Sequence, residues 1–135
     1  MDLETLDTRK GADAGFELHL THPRTGEALP MVINLLGADS RVYQDAQRTQ
    51  NRRRLAEAQK VRRMTLTPEA LEADALELLV AVTRGWSGFT QGGKAVDCTP
   101  QNVQRIYTEF PWIREQVDLA IGDRANFLPS SPTPS

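Results

Sequence analysis

Two Thr-Pro pairs, Thr67-Pro68 and Thr99-Pro100, each stand directly before an apolar run of helical period, and they set what this chain can become. A threonine at such a position accepts a backbone N–H from the first turn. The proline after it has its φ already fixed for a helix and no N–H to leave unpaired. After the first pair, Leu71, Ala75, Leu78, Leu79 and Val82 fall at i, i+4, i+7, i+8 and i+11, on one stripe. Leu76 and Val80 widen the stripe, and Glu69, Glu72 and Asp74 suit the positive end of the helix dipole. Gly85 supplies a stop. This spacing predicts a helix over 67–84, the most buried of the fold. After the second pair, Val103, Ile106, Tyr107 and Phe110 line a helix over 99–110. Pro111 breaks the chain and opens another helix over 111–125, with Trp112, Ile113, Val117, Ala120 and Ile121 inward.

Upstream the period changes. Phe16, Leu18 and Leu20 alternate with polar residues, and Met31, Ile33 and Leu35 alternate again after "HPRTG". Pro23 and Gly26 provide turn chemistry, so 15–36 reads as a β-hairpin. Two strands alone are marginal, so the hairpin should lean on a helix or on another chain. Asp39 or Ser40 can then cap a helix over 40–63 that contains no glycine or proline. Its apolar stripe is thin: Tyr43, Ala46, Leu55, Ala58 and Val61, interrupted by "TQNRRR". The expectation is a mainly α fold of the α+β class. An N-terminal β-hairpin and four helices form one small domain over 15–128, between a flexible N-terminus, 1–14, and a disordered tail, 129–135. The tail, "PSSPTPS", cannot bury a core.

Charge is segregated. Residues 1–40 carry three basic and seven acidic side chains, 41–63 eight and two, and 64–135 five and nine. The basic segment either binds a polyanion or answers acidic groups in its own fold. One cysteine in 135 residues cannot make an internal disulfide. The polar start "MDLETLDTRK" has no apolar signal region, and no apolar run approaches the ~20 residues that span a bilayer. A soluble intracellular protein is expected.

"TRGWSGFTQGGKAVDCTPQN", 83–102, invites a catalytic reading and fails it. G-x-x-x-x-G-K is met by Gly88 and Gly93-Lys94, but Ala95 replaces the metal-holding hydroxyl and the stretch follows a helix. Gly-Trp-Ser-Gly has the wrong spacing for a nucleophile elbow at Ser87. The histidines, His19 and His22, lie in the hairpin on opposite faces of a strand, and Cys98 has no second thiol for a zinc site. No catalytic residue, metal or cofactor is expected. The bland reading is a loop pinned to the core by Trp86 and Phe89. The alternative is an interface anchored by these aromatics.

The order of features carries a resemblance. "MVINLLGADSRVYQDAQRTQNRR" gives a strand, Gly-x-Asp-Ser, an aromatic and a basic alanine-rich helix. Gly85-Trp86, Pro100-x-Asn102, Pro111-Trp112-Ile113 with Gln116-Val117, and Arg124-Ala125-Asn126-Phe127 follow in order. Over about 16–128 this resembles the tail assembly chaperones of long-tailed bacteriophages and prophages. The resemblance implies a non-enzymatic protein of the host bacterial cytoplasm. It would bind the tape measure protein, the tail tube protein or both, keep them soluble, and be absent from the mature virion. Candidate partner-binding residues are Tyr43, Arg48, Arg52, Arg53, Arg54, Trp86, Phe89 and Phe127, and the basic helix permits self-association. The rival is a nucleic-acid-binding module using 41–63.

Overall fold

The computed structural model describes residues 2–61 and 67–128. After a 3-10 turn at Leu3–Leu6 come α1 (Thr8–Ala14), β1 (Phe16–Thr21), β2 (Ala28–Leu35), α2 (Arg41–Val61) and α3 (Pro68–Val82). Then follow β3 (Thr83–Ser87), β4 (Thr90–Gln91), β5 (Lys94–Ala95), α4 (Pro100–Glu109), α5 (Pro111–Gly122) and a second 3-10 turn, Arg124–Phe127. The α+β class and the hairpin are as expected. The described residues hold five α-helices rather than four. Arg62, Arg63 and the tail 129–135 lie outside the described residues.

The sheet has the order β1-β2-β3, all antiparallel. Leu18, Ile33 and Trp86 form one cross-strand row, and Phe16, Leu35 and Thr83 another. These rows face the helices and meet Leu79, Val82, Val103, Ile106, Tyr107, Ile113, Val117 and Ile121 in one core. The hairpin turn follows its chemistry: Gly26 takes φ 75°, and His22 Nδ1 accepts the Arg24 and Thr25 N–H groups at 3.1 and 3.3 Å. His22 therefore lies in the turn, not on the strand as expected.

The helix starts follow the sequence closely. Thr67 Oγ1 accepts the Ala70 N–H at 3.1 Å, and Thr99 Oγ1 accepts the Asn102 N–H at 3.2 Å. Of the two candidate caps for α2, Ser40 performs the task, accepting the Tyr43 N–H at 3.2 Å. Asp39 turns to Arg124 instead, at 2.6 and 3.0 Å.

Three expectations are corrected. The helix of 67–84 ends at Val82, because Thr83 turns extended and Thr83–Ser87 finds ladder partners on β2. Gly85 is thus a strand residue rather than a stop. Nor is α3 the most buried helix. Leu78, Leu79 and Val82 reach the core, but its first two turns lie beyond it and Leu71 is 53% exposed. Finally, the segment read as flexible contains α1. Gly11 and Gly37 let it sit close: a Cβ at Gly11 would lie 1.5 Å from the Phe127 carbonyl oxygen, and one at Gly37 2.8 Å from the Ala12 Cβ. The Gly37 N–H donates to the Ala12 carbonyl at 3.1 Å, and Ala12 is buried. Arg124–Phe127 and α1 thereby bring the two ends of the described chain together.

Candidate partner-binding surface

The eight residues singled out from the sequence fall in three separate places. Trp86 and Phe89 stack with ring centroids 4.3 Å apart, and the Trp86 Nε1–H donates to the Val96 carbonyl at 2.8 Å. Phe89 is buried and Trp86 half-buried. They fasten the β4–β5 hairpin over the core, the structural reading of the 83–102 stretch. Gly92 and Gly93, both at positive φ, close that hairpin as a two-residue turn. Gly88 is needed where it stands: φ is 81°, and a Cβ would meet the Pro30 carbonyl oxygen at 2.5 Å. The glycines of the G-x-x-x-x-G-K match therefore serve two different turns and do not form one phosphate cradle.

Phe127 is buried at the other end of the molecule, edge-on to Phe16 at 5.8 Å. As placed, neither Phe89 nor Phe127 offers a surface to a partner. Tyr43 is half-buried beside the core, and burial, with the Asp118 charge, raises its phenol above the ordinary range.

The arginines lie on α2. Arg54 Nε donates to Asp74 Oδ2 of α3 at 2.9 Å, and its other nitrogen reaches the same carboxylate and the Ala70 carbonyl. Arg53 pairs with Asp74 at 3.6 Å and Glu77 at 3.4 Å. Arg48 pairs along its own helix with Asp45 at 3.0 Å. Arg52 is exposed, with no ion pair among the described residues. Three of these four candidates are thus engaged by acidic groups of the chain itself, two of them across the α2–α3 seam.

The sequence reading missed how this seam is built. Gln50, inside the "TQNRRR" interruption, is only 5% exposed and donates to the Asp74 carbonyl at 2.9 Å and to Glu77 Oε1 at 3.1 Å. Tyr43, Ala46, Gln50, Arg54 and Ala58 recur at helical spacing, so the inner face of α2 continues but turns polar. Hydrophobicity could not reveal that; the spacing could. On α5, Gln116 was noted only as part of a motif. Its Oε1 accepts the Thr21 N–H at 3.0 Å, and its Nε2 donates to the Thr21 carbonyl at 2.9 Å.

Among the described residues, no catalytic arrangement gathers around Ser87, Lys94 or Cys98. Ser87 and His19 occupy one row of the open sheet face with Val32 between them. Two strand spacings, roughly 9.5 Å, separate their backbones. Burial raises the Cys98 thiol, the opposite of an activated nucleophile. Burial likewise raises Tyr107, whose hydroxyl lies 2.7 Å from Thr83 Oγ1. A cleft of about 400 Å³ between α1 and α2 balances Arg9, Arg41 and Arg48 against Asp13, Asp39 and Asp45. Asp13 already accepts the Arg41 N–H at 2.7 Å. Among the described residues no group of three or more His, Cys, Asp or Glu side chains could hold a metal ion.

No protein-family model, no curated protein and no solved structure matches this chain.

The surface that remains is made of backbone and of scattered side chains. Among the described residues, no helix is long and apolar enough to cross a membrane. A small apolar cavity of about 210 Å³ opens between Phe89, Phe110 and Trp112. The side of the sheet away from the helices carries Glu17, His19, Val32, Asn34 and Ser87, a mostly polar set.

Proposed function

We propose that this chain is a phage tail assembly chaperone, which binds the tape measure protein, the tail tube protein or both and keeps them soluble while the tail is built. The observation that carries the reading is the ordered set of landmarks from Gly85-Trp86 to Asn126-Phe127. Their places in the fold support it, because each has a structural task. Trp86 holds the Val96 carbonyl, and Asn102 Nδ2 holds the Asp97 carbonyl at 2.9 Å. Gln116 holds Thr21, and Asn126 Nδ2 holds the Ala120 carbonyl at 3.1 Å. Residues spread over the second half of a chain, each fixing a separate backbone group, are what a shared fold requires, and a catalytic signature would converge on one point. Action in the host cytoplasm, absence from the finished virion and a non-enzymatic role belong to the same proposal. The nucleic-acid alternative is the weaker one, since Arg53 and Arg54 are turned to Asp74 and Glu77.

The test is co-expression with the tube and tape-measure chains encoded beside it. The tape-measure chain should shift from the pellet to the supernatant and co-purify with this protein. If both stay unbound and insoluble, the proposal is wrong. Retention on DNA or RNA that weakens steeply with salt would favour the alternative.

A further inference from the structure

We propose that the outer part of α2, residues 50–60, is an ionic latch, which parts from α3 as a unit while the core stays closed and then offers Arg53 and Arg54 to a partner helix carrying carboxylates three positions apart. The choice of partner rests on the protein-binding role proposed above. The latch itself does not.

The core reaches only the start of α2. Among the described residues, Val42 and Tyr43 are its contribution to the core cluster, and α3 contributes nothing before Leu76. The outer half of α2 therefore lies beyond the core, beside the first two turns of α3. Its inner side chains there are Gln50, Arg54 and Ala58, and Leu55 turns outward, 59% exposed. What joins the two helices is polar. Gln50 donates to the Asp74 carbonyl and to Glu77, and Arg54 to Asp74 and the Ala70 carbonyl. Arg53 pairs with Asp74 and Glu77. Parting such a seam uncovers little apolar surface, and each polar group regains water. The two helices are not equally held. The outer half of α3 is tied to α5, where Arg114 donates to Glu72 Oε1 at 3.1 Å and to the Glu72 carbonyl at 3.5 Å. Among the described residues, no hydrogen bond or ion pair leaves 50–60 for any element but α3. The moving part is therefore α2. A segment of this length is marginal as a free helix, so parting also loosens its own hydrogen bonds.

The seam also shows what this side of α2 recognises. Asp74 and Glu77 stand at i and i+3 on α3, so their carboxylates share one face of a helix. Gln50, Arg53 and Arg54 are spaced to meet them. In the closed form α3 is thus the occupant, supplied by the same chain. The contact has an effective concentration on the order of millimolar, because the two helices are tethered. A partner competes with it by presenting the same carboxylate spacing to the open latch. The occupant seen is a helix bearing acids, which favours an acidic protein helix over a nucleic acid.

The experiment uses the full chain, first alone and then with a helical peptide carrying glutamates at i and i+3 as the probe. Amide exchange is compared between residues 50–58 and the buried Ile106 and Tyr107 of α4. Residues 50–58 should exchange together, about tenfold faster or more, and faster again in high salt, while the α4 amides ignore salt. Rates equal to those of α4 overturn the latch. Rates that fall steadily inward from residue 60 and ignore salt are end fraying and overturn it too. Asp74→Asn with Glu77→Gln should bind the probe about tenfold more tightly than wild type, and Arg53→Ala with Arg54→Ala more weakly. Asp97→Asn with Glu115→Gln makes the same change in net charge away from the seam and should leave the affinity as in wild type. No gain in the seam variant, or an equal gain in that control, overturns the choice of partner. DNA of equal charge bound as tightly as the probe overturns it in favour of nucleic acid. None of these measurements involves a tail protein, so the latch can fail while the chaperone reading stands, and the reverse.

Discussion

Asp39 was legible as a capping candidate, and the structure gives it a different task. The Arg124 guanidinium, hydrogen-bonded to it, holds its carboxyl below the ordinary carboxylate range, against the opposing effect of partial burial. A folded-state pKa below the unfolded value contributes stability that is present above about pH 3.9 and is lost as pH falls through the folded value. Asp39→Asn should therefore lower stability at neutral pH and flatten the acid limb of the unfolding curve. Below the carboxylate range the variant and wild type should converge. Acid titrations followed by circular dichroism check this; parallel curves at every pH would remove Asp39 from the acid response. Local chemistry made the Thr-Pro caps, Ser40 and the turn around Gly26 readable. It could not select Arg124 as a partner 85 residues from Asp39, because only the closed fold brings them together.

At the level of elements, hydrophobic period placed the β1–β2 hairpin and helices α2 to α5, with ends off by a few residues. It failed for α1 and β3, and for definite reasons. The segment Thr8–Ala14 has no apolar stripe and contains Gly11, so its helix depends on Ala12 being buried against Gly37 and Phe127. "TRGWS" is too short for its alternation to be read and becomes a strand because β2 offers it a ladder. The α2–α3 seam escaped for the same kind of reason, since it is held by Gln50, Arg53 and Arg54 rather than by leucines. Asp74, with about four-fifths of its side chain covered, answers both arginines. Asp74→Asn should cost about 1–3 kcal/mol, the range for a charged hydrogen-bond partner removed from a partly buried site. Urea unfolding measures it, and the deficit should shrink as added salt weakens the ion pairs in wild type. An unchanged midpoint would mean that the contacts left in place, Gln50 to Asp74 and Glu77, Arg53 to Glu77 and Arg54 to Ala70, suffice to join the two helices.

Across the whole molecule, the candidate site was the least legible part. Tyr43, the arginines, Trp86, Phe89 and Phe127 were chosen as residue types that anchor interfaces, yet the fold uses most of them for its own contacts. What the surface offers, sheet edges with the Thr21 peptide groups capped by Gln116, belongs to the backbone and has no letter in the sequence. Gln116 shows how much depends on it. Gln116→Ala leaves the Thr21 peptide groups to water, which should cost about 1 kcal/mol. It should also make the protein associate with rising concentration, as measured by light scattering. Scattering that stays flat would show that α5 guards this edge by bulk alone.

The Gln116 amide also acts as a clasp between distant parts of the chain. It ties Thr21, at the end of β1, to α5 across 95 positions of sequence. Fraying at this end of the sheet is thereby coupled to the docking of the helix, so the two come apart together rather than in turn.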